Sequence, residues 1–220
     1  MQARRLDPAR LAVYVVTSGS LRERSHLDVA RAAIAGGATA VQLRAPELDE
    51  DALAAAAGEL ADACRAAGVL SIVNDRPDVA VAAGADGAHV GQGDDVEDAR
   101  AALGQDRVLG ISVASAEQAR QAQALGADYL GVTVWATPTK PEAAPEGPEG
   151  VRTVAAATPL PVVGIGGIDA DNAHQVVAAG AVGVAVVSAV AGAEDPVAAT
   201  RALRAAVEAA LAARTGGTRE

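Results

Sequence analysis

The chain has 220 residues, of which 50% are hydrophobic and only 1% aromatic, and its formal net charge is −10. Such a chain can bury a large aliphatic core in one compact domain, which we take as residues 1–220. The negative charge argues against non-specific binding to nucleic acid, whose phosphates would be repelled. No apolar run is long enough to span a membrane and no signal peptide is evident, so we expect neither nucleic acid nor a membrane as a partner.

Cysteine usage and the termini give two further expectations. The chain has one cysteine, Cys64, which cannot form an intramolecular disulfide, and this fits a cytoplasmic location. Residues 1–10 and 214–220 are expected to be frayed tails. The sequence does not fix the oligomeric state, and a homo-oligomer is compatible with it.

Predicted strands and helices alternate along the chain. Short runs rich in Val, Ile and Leu predict eight strands, at 11–17, 39–44, 69–75, 87–91, 107–113, 128–134, 161–167 and 183–188. Helical patterns lie at 25–35, 49–67, 77–83, 95–103, 115–125, 147–157, 170–179 and 195–213. Near-continuous apolar strands, each followed by a helix, imply a parallel sheet that is covered by helices.

A recurring phrase marks the return from helix to strand. It reads AGGATAV at 35–41, AAGADGAHV at 82–90, ALGADYLGV at 124–132 and AAGAVGVAV at 178–186. Each copy combines a helix end, a glycine suited to a left-handed cap and the start of a strand. Eight such units predict an α/β fold of the single (β/α)8 TIM barrel type, with a doubly wound open sheet as the alternative.

A set of candidate site residues, most of them polar, stands at the predicted carboxyl ends of the strands, where TIM barrels carry their sites. They are Gln42 and Arg44 after the second strand, Asn74 and Asp75 after the third, Asp94 after the fourth, Ser112 on the fifth, Thr137, Thr139 and Lys140 after the sixth, Gly167 after the seventh, and Val187 and Ser188 after the eighth. Gln42 and Arg44 share one face of their strand because side chains alternate, so both should point into the barrel mouth while Leu43 packs outward.

Asp75 and Asp94 are candidate ligands of one Mg²⁺ ion, which commonly takes one or two carboxylates and completes its shell with water and substrate phosphate. The alternative is that each aspartate caps the helix that follows it. The GIGG segment at 164–167 offers backbone N–H groups for a phosphate, and its alternative is a tight turn.

Lys140 is the only lysine among 18 Lys and Arg residues. Where a generic positive charge suffices the chain uses arginine, so this position favours a compact ammonium. The segment 141–150, rich in Pro, Gly and Glu, is long enough for a lid. His26 and His174 are expected at the surface and His89 inside the barrel, and the sequence offers no nucleophile–base pair. The residues therefore indicate a barrel enzyme that binds two anionic groups.

The sequence resembles the thiamine phosphate synthase family over roughly 11–210. The matching segments are QLR at 42–44, NDRPDVAVAAGADGAHVGQGD at 74–94, LGIS at 109–112, TPTKP at 137–141, VVGIGGIDADNA at 162–173 and GVAVVSA at 183–189. The resemblance implies a transferase that joins hydroxymethylpyrimidine diphosphate to a thiazole phosphate. Diphosphate leaves in a dissociative, Mg²⁺-assisted displacement, and thiamine phosphate results.

The resemblance also implies a role for each matching residue. Gln42, Arg44 and Asn74 would contact the pyrimidine diphosphate, and Ser112 and Lys140 would bind its diphosphate. Asp75 and Asp94 would hold Mg²⁺, while Thr137, Thr139, Gly167, Val187 and Ser188 would line the thiazole phosphate site. Arg44, Ser112 and Lys140 are thus the expected catalytic residues.

Two positions depart from the family pattern. Pro46 stands where the family has a lysine, so one diphosphate-binding charge is missing, and Arg76 is a candidate to compensate for it. Ala114 stands where related barrels have a histidine. One alternative function is a thiazole tautomerase, which would rely on a histidine just after the fifth strand. A second is another phosphate-binding barrel isomerase, which would need an acid–base pair. A third is a non-catalytic protein that binds thiamine precursors.

Overall fold

The computed structural model describes residues 6–19, 21–91, 94–137 and 144–216. The strands are β1 (Val13–Val16), β2 (Ala40–Leu43), β3 (Leu70–Asn74), β4 (Gly87–Val90), β5 (Val108–Ser112), β6 (Tyr129–Thr133), β7 (Val162–Ile165) and β8 (Gly183–Val186). The α-helices are α1 (His26–Gly36), α2 (Glu50–Ala67), α3 (Pro77–Ala82), α4 (Val96–Leu103), α5 (Ala116–Ala124), α6 (Gly147–Ala157), α7 (Ala173–Ala178), α8 (Ser188–Ala191) and α9 (Pro196–Gly216).

The strands form a closed barrel in the order β1 to β8. Every neighbouring pair is parallel, and β8 returns to pair with β1, so that Tyr14 lies between Ala40 of β2 and Ala185 of β8. The predicted TIM barrel is therefore confirmed, and the open-sheet alternative is wrong. Among the described helices, none has the length and apolar character needed to cross a membrane.

The core has two layers because side chains alternate along each strand. On β1, Val13 and Val15 face the helices, while Tyr14 and Val16 face the barrel interior. The inner layer consists of Leu11, Tyr14, Val16, Ala40, Leu70, Ile72, Tyr129, Val163 and Ala185. This inner layer is therefore aliphatic except for its two tyrosines.

The glycines of the recurring phrase have the predicted left-handed conformation. The φ angles are 94° at Gly37, 67° at Gly84, 87° at Gly126 and 115° at Gly180. A side chain at such a φ value is strained, so glycine allows the chain to leave each helix and enter the next strand directly. This is the local reason why the helix-to-strand return repeats around the barrel.

The structure differs from the sequence prediction in several places. Helix α8 was not predicted, since four residues are too few to show a helical period. Helix α7 begins at Ala173, three residues after the predicted start at 170. Residues 8–11 form a 3-10 helix, and α9 continues to Gly216, where Arg214 donates to the carbonyl oxygens of Val177 and Ala181. These described parts of the two expected tails are therefore helical.

Tyr129 occupies the barrel interior because β5 carries a glycine beside it. A Cβ atom at Gly110 would overlap the Tyr129 ring, whereas the φ angle of Gly110 is not positive. The requirement for glycine is therefore one of space rather than backbone conformation. Tyr129 is 0% exposed, and it is the largest of the fully buried side chains in the part of the chain that the structure describes.

We expect Gly110→Ala to destabilise the protein by about 1–3 kcal/mol, because the new methyl group forces a buried ring to move in a packed core. The measurement is the free energy of unfolding from urea denaturation. Gly58→Ala on α2 is the matched control, since nothing lies within 4 Å of an added Cβ there. That variant should gain up to about 1 kcal/mol from helix propensity. Equal stability changes for the two variants would contradict the role assigned to Gly110.

Candidate active site

A cavity that is partly open to solvent lies at the carboxyl ends of the strands. Most of the site residues predicted from sequence line it, namely Gln42, Arg44, Asn74, Ser112, Thr137, Gly167, Val187 and Ser188. Asp75 and Asp94 follow β3 and β4 and are not among the residues that line this cavity. Two further predicted residues, Thr139 and Lys140, lie outside the described residues.

Strand β2 has the orientation predicted from its alternating pattern. Gln42 and Arg44 face the cavity, whereas Leu43 packs between the strands and the helices. Gln42 is 4% exposed, and its Nε2 donates to the hydroxyl of Tyr14 at 2.6 Å. The backbone N–H of Arg44 donates to Oγ1 of Thr17 at 3.2 Å. Both residues are thus anchored to the β1 side of the barrel.

Pro46 lies in an exposed turn that follows β2. The turn is closed by a hydrogen bond from the Leu48 N–H to the Ala45 carbonyl oxygen at 3.2 Å. Proline suits the second position of such a turn, because its ring fixes φ near −65°. The residue at the expected lysine position therefore shapes the loop that carries Glu47.

His26 is 8% exposed, so the prediction that it lies at the surface is wrong. It opens α1 beside the end of β1, where its Nδ1 bonds to Oγ1 of Thr17 at 2.8 Å and its Nε2 to Oε1 of Glu47 at 2.6 Å. Because Thr17 follows β1 and Glu47 follows β2, these contacts join two neighbouring loops of the barrel mouth. His174 is exposed on α7, as predicted.

The pKa of Glu47 is lowered in the folded protein. Partial burial raises the pKa of this carboxyl group, but the hydrogen bond with His26 lowers it, and the charge of Arg44 acts in the same direction. The balance favours the ionised form. Glu47 therefore acts as an anionic acceptor for the histidine at neutral pH.

Asp75 does not cap the helix that follows it. The residue that precedes α3 is Arg76, whose side chain makes no capping hydrogen bond. Asp75 has φ = 57°, a left-handed conformation that aspartate tolerates better than most residues. Its backbone N–H donates to the His89 carbonyl oxygen at 2.8 Å, and its carboxylate accepts from the Asn74 side chain at 2.5 Å. The helix-cap alternative is wrong here.

Asp94 is also not a helix cap. Helix α4 is capped by Asp95, which accepts from the Asp98 N–H at 3.0 Å. Oδ2 of Asp94 instead accepts from the Gly91 N–H at 2.5 Å, which fixes the carboxylate directly after β4. One hydrogen bond uses only part of the acceptor capacity of a carboxylate.

The donor set of Asp75 and Asp94 fits Mg²⁺ better than a metal that needs a full protein cage. Both groups supply hard oxygen donors after neighbouring strands, and Mg²⁺ usually keeps several waters beside one or two carboxylates. Over 6–19, 21–91, 94–137 and 144–216, no group of three or more His, Cys, Asp or Glu side chains could hold a metal ion.

The GIGG segment forms a tight turn on the opposite wall of the cavity. Gly166 and Gly167 have φ angles of 96° and 64°. A Cβ atom on Gly166 would lie 2.6 Å from the carbonyl oxygen of Trp135, so both space and backbone conformation require glycine. Nδ2 of Asn172 donates to the Gly167 carbonyl oxygen at 2.9 Å. This hydrogen bond stabilises the turn at the cavity edge.

Helix α8 brings Ser188 to the same wall. TIM barrels often bind phosphate with the loops after strands seven and eight and the start of a short extra helix. The far end of α8 is held by Arg24, whose guanidinium donates to the carbonyl oxygens of Ala191 at 3.2 Å, Ala193 at 2.7 Å and Glu194 at 2.8 Å. The loop after β1 thus supports this wall as well.

Arg76 is not a ready substitute for the missing lysine. Its guanidinium forms two hydrogen bonds with the Asp78 carboxylate, at 2.9 and 2.7 Å. The hydrogen bond with Asp78 raises the pKa of Arg76 further.

The end of the proposed lid is also ordered, because α6 already begins at Gly147, while 141–143 lie outside the described residues.

Sequence reasoning missed the two tyrosines of the cavity floor. Tyr14 and Tyr129 face each other with their hydroxyl oxygens 2.9 Å apart. His89 lies inside the barrel as predicted, and it connects Tyr129 to Ser112 through hydrogen bonds of 3.0 and 2.9 Å. The sequence did carry a signal, since these are its only two tyrosines and it has no phenylalanine. The rarity of lysine drew attention to Lys140, and the rarity of tyrosine would equally have drawn attention to Tyr14 and Tyr129.

A family model, two relatives and one solved structure indicate the same family. The family model described as thiamine monophosphate synthase matches residues 13–190. A thiamine-phosphate synthase from Roseiflexus castenholzii is 52% identical over 195 residues, which cover 87% of this chain and 86% of that protein. One from Moorella thermoacetica is 49% identical over 196 residues, covering 87% and 93%. The solved structure of a thiamine phosphate pyrophosphorylase from Pyrococcus furiosus superposes with a TM-score of 0.86 at 39% identity, covering 93% and 98%.

We expect Glu47→Gln to reduce the free energy of unfolding by less than about 1 kcal/mol at pH 7, since the Glu47 side chain is 52% exposed and its ion pair is screened. The folded pKa of Glu47 lies below its unfolded value, so the carboxylate contributes stability above the unfolded pKa of about 4.3. That contribution is lost as pH falls through the folded pKa. Urea denaturation of both proteins between pH 3 and 7 measures the difference in their free energies of unfolding. A difference that grows towards pH 3 would contradict the lowered pKa of Glu47.

Proposed function

The chain belongs to the thiamine monophosphate synthase family, and from that membership we propose how its cavity performs the condensation that yields thiamine phosphate. The proposed substrates are hydroxymethylpyrimidine diphosphate and a thiazole phosphate. The observation that carries the proposal is the convergence of the family-matching side chains from several strand ends on one cavity.

The proposed reaction is a dissociative displacement. The bond between the methylene carbon of the pyrimidine and the diphosphate oxygen breaks, and diphosphate leaves with the electron pair. The thiazole nitrogen then donates its lone pair to the resulting cation, and a C–N bond forms. Such a reaction needs stabilisation of the departing charge more than it needs a strong base.

Arg44 and Ser112 are the described residues proposed to bind the leaving diphosphate. They line the cavity from β2 and β5, and Lys140 is proposed to join them from the loop after β6. Gln42 and Asn74, which line the same cavity, are proposed to orient the pyrimidine. Binding both substrates in one cavity replaces an encounter in solution by a reaction between neighbours.

The opposite wall is proposed to hold the thiazole phosphate. Thr137, Gly167, Val187 and Ser188 line it, and Thr139 is proposed to belong to the same set. Asp75 and Asp94 would hold Mg²⁺, which when bound would neutralise part of the charge on the diphosphate. The cytoplasmic location and a homo-oligomer stay predictions.

A mixing assay with purified protein tests the function. The two heterocyclic phosphates and Mg²⁺ should yield thiamine phosphate and one equivalent of diphosphate. Asp75→Asn should lower kcat/KM at least about 10-fold and raise the Mg²⁺ concentration needed for half-maximal rate. Asp78→Asn, at an exposed aspartate that pairs with Arg76, is the matched control. Binding of both substrates without turnover would favour a precursor-binding protein, and full activity of Asp75→Asn would remove the metal assignment.

We expect Pro46→Lys to tighten binding of the pyrimidine diphosphate about 3- to 10-fold, because it restores a cation at an exposed position next to the cavity mouth. The substitution should also cost the turn about 0.4–1 kcal/mol of stability, as proline restricts the unfolded chain. Pro46→Gln removes the ring without adding charge and serves as the control. Calorimetric titration gives the Kd values, and equal affinities for the two variants would contradict a role for charge here.

A further inference from the structure

Five side chains form a continuous chain of hydrogen bonds across the barrel interior. The bonded pairs are Gln42 Nε2 with Tyr14 Oη at 2.6 Å, Tyr14 Oη with Tyr129 Oη at 2.9 Å, Tyr129 Oη with His89 Nδ1 at 3.0 Å, and His89 Nε2 with Ser112 Oγ at 2.9 Å. This series of hydrogen bonds begins at Gln42 on β2 and ends at Ser112 on β5, on two different walls of the cavity.

Counting hydrogens at Tyr14 supplies the direction. A phenol hydroxyl has one hydrogen to donate and lone pairs to accept with. The Gln42 amide N–H can only donate, so the Tyr14 oxygen accepts from it. The hydrogen of Tyr14 then needs an acceptor, and within the described part of the chain the other partner of this hydroxyl is Tyr129. Tyr14 therefore donates to Tyr129.

The opposite direction leaves a buried hydrogen without an acceptor. If Tyr129 donated to Tyr14, the Tyr14 oxygen would accept twice and its own hydrogen would find no described acceptor. Tyr14 is 2% exposed, and an unsatisfied buried donor is costly. Both phenols also keep their protons, because burial raises the pKa of Tyr14 and of Tyr129 above the ordinary value.

We propose that these hydrogen bonds run one way, from Gln42 through Tyr14 and Tyr129 to His89, and that they hold neutral His89 with its hydrogen on Nε2. Tyr129 donates to Nδ1 of His89, so Nδ1 carries no hydrogen. Nε2–H then donates to Oγ of Ser112. The two tyrosines are positioning residues, since they act through the histidine.

The consequence falls on Ser112. Its oxygen already accepts from His89, so its own hydrogen is free to turn into the cavity, which Ser112 lines. The hydroxyl is thus prepared as a donor to an anionic oxygen before any ligand arrives. Identifying that anion as the diphosphate of the substrate rests on the proposed function, whereas the direction of the hydrogen bonds does not.

The first test measures the tautomer in the parent protein and needs no substrate. The chain has three histidines, so NMR of ¹⁵N-histidine-labelled protein gives three ring systems. His26→Gln and His174→Gln assign the other two. We expect His89 to be neutral and protonated on Nε2 at pH 7. A ring protonated on Nδ1, or on both nitrogens, would overturn the proposal.

The second test asks which neighbour controls the tautomer. In Tyr129→Phe the donor to Nδ1 is lost, so the Nδ1–H form of His89 should become detectable. In Ser112→Ala the tyrosines remain, so the Nε2–H form should persist. The reverse result would show that Ser112 directs the histidine, and it would overturn the proposal. The parent spectrum remains decisive if a variant does not fold.

The third test links the tyrosine to anion binding with inorganic diphosphate and Mg²⁺ in calorimetric titrations. Tyr129→Phe should raise the Kd about 5-fold, the effect of one neutral hydrogen bond. In the Ser112→Ala background the same substitution should add no further loss, because Tyr129 acts through Ser112. Additive losses would assign Tyr129 a packing role only and overturn the link. If His89 is protonated on Nε2 but the condensation assay fails, only the proposed function is contradicted.

Discussion

The burial of Tyr129 against Gly110 is the contact on which the shape of the cavity depends. Aliphatic side chains pack against the ring in the barrel interior, and the cavity opens on its other side. The ring can lie there only because β5 offers no side chain at the point of contact. A single tyrosine and a single glycine thus set how deep the cavity is, and the tyrosine hydroxyl makes its floor polar.

The loop after β1 supports the mouth of the cavity on two sides. Through Thr17 and His26 it is joined to the loop after β2, which carries Arg44 and Glu47. Through Arg24 it holds the end of α8. The walls proposed for the two substrates are therefore not independent, because one loop positions both. Proline in the neighbouring turn fits this arrangement, since it stiffens the segment that presents Glu47.

The fold was predictable because its signals are local and repeated. Apolar strands, helix periodicity and left-handed glycines such as Gly84 and Gly126 each require only a few neighbouring residues. Gln42, Arg44 and Ser112 were found for a related reason, since strand alternation and the carboxyl-end rule place them without knowledge of tertiary contacts.

His26 was misplaced because its burial depends on Glu47, a partner 21 residues away in a different loop. Tyr14 and Tyr129 were missed because they are 115 residues apart and their pairing exists only after the barrel closes. Helix α8 escaped detection because its four residues are too few to show a helical period.

Trp135 gives the molecule one further property. It is the only tryptophan in the chain. A Cβ atom on Gly167 would lie 3.0 Å from the Cβ of Trp135. The backbone N–H of Trp135 also bonds to the Gly166 carbonyl oxygen at 3.3 Å. All indole fluorescence of this protein therefore originates beside the turn on one wall of the cavity. The chain carries its own optical probe of that wall, and no label has to be introduced to observe it.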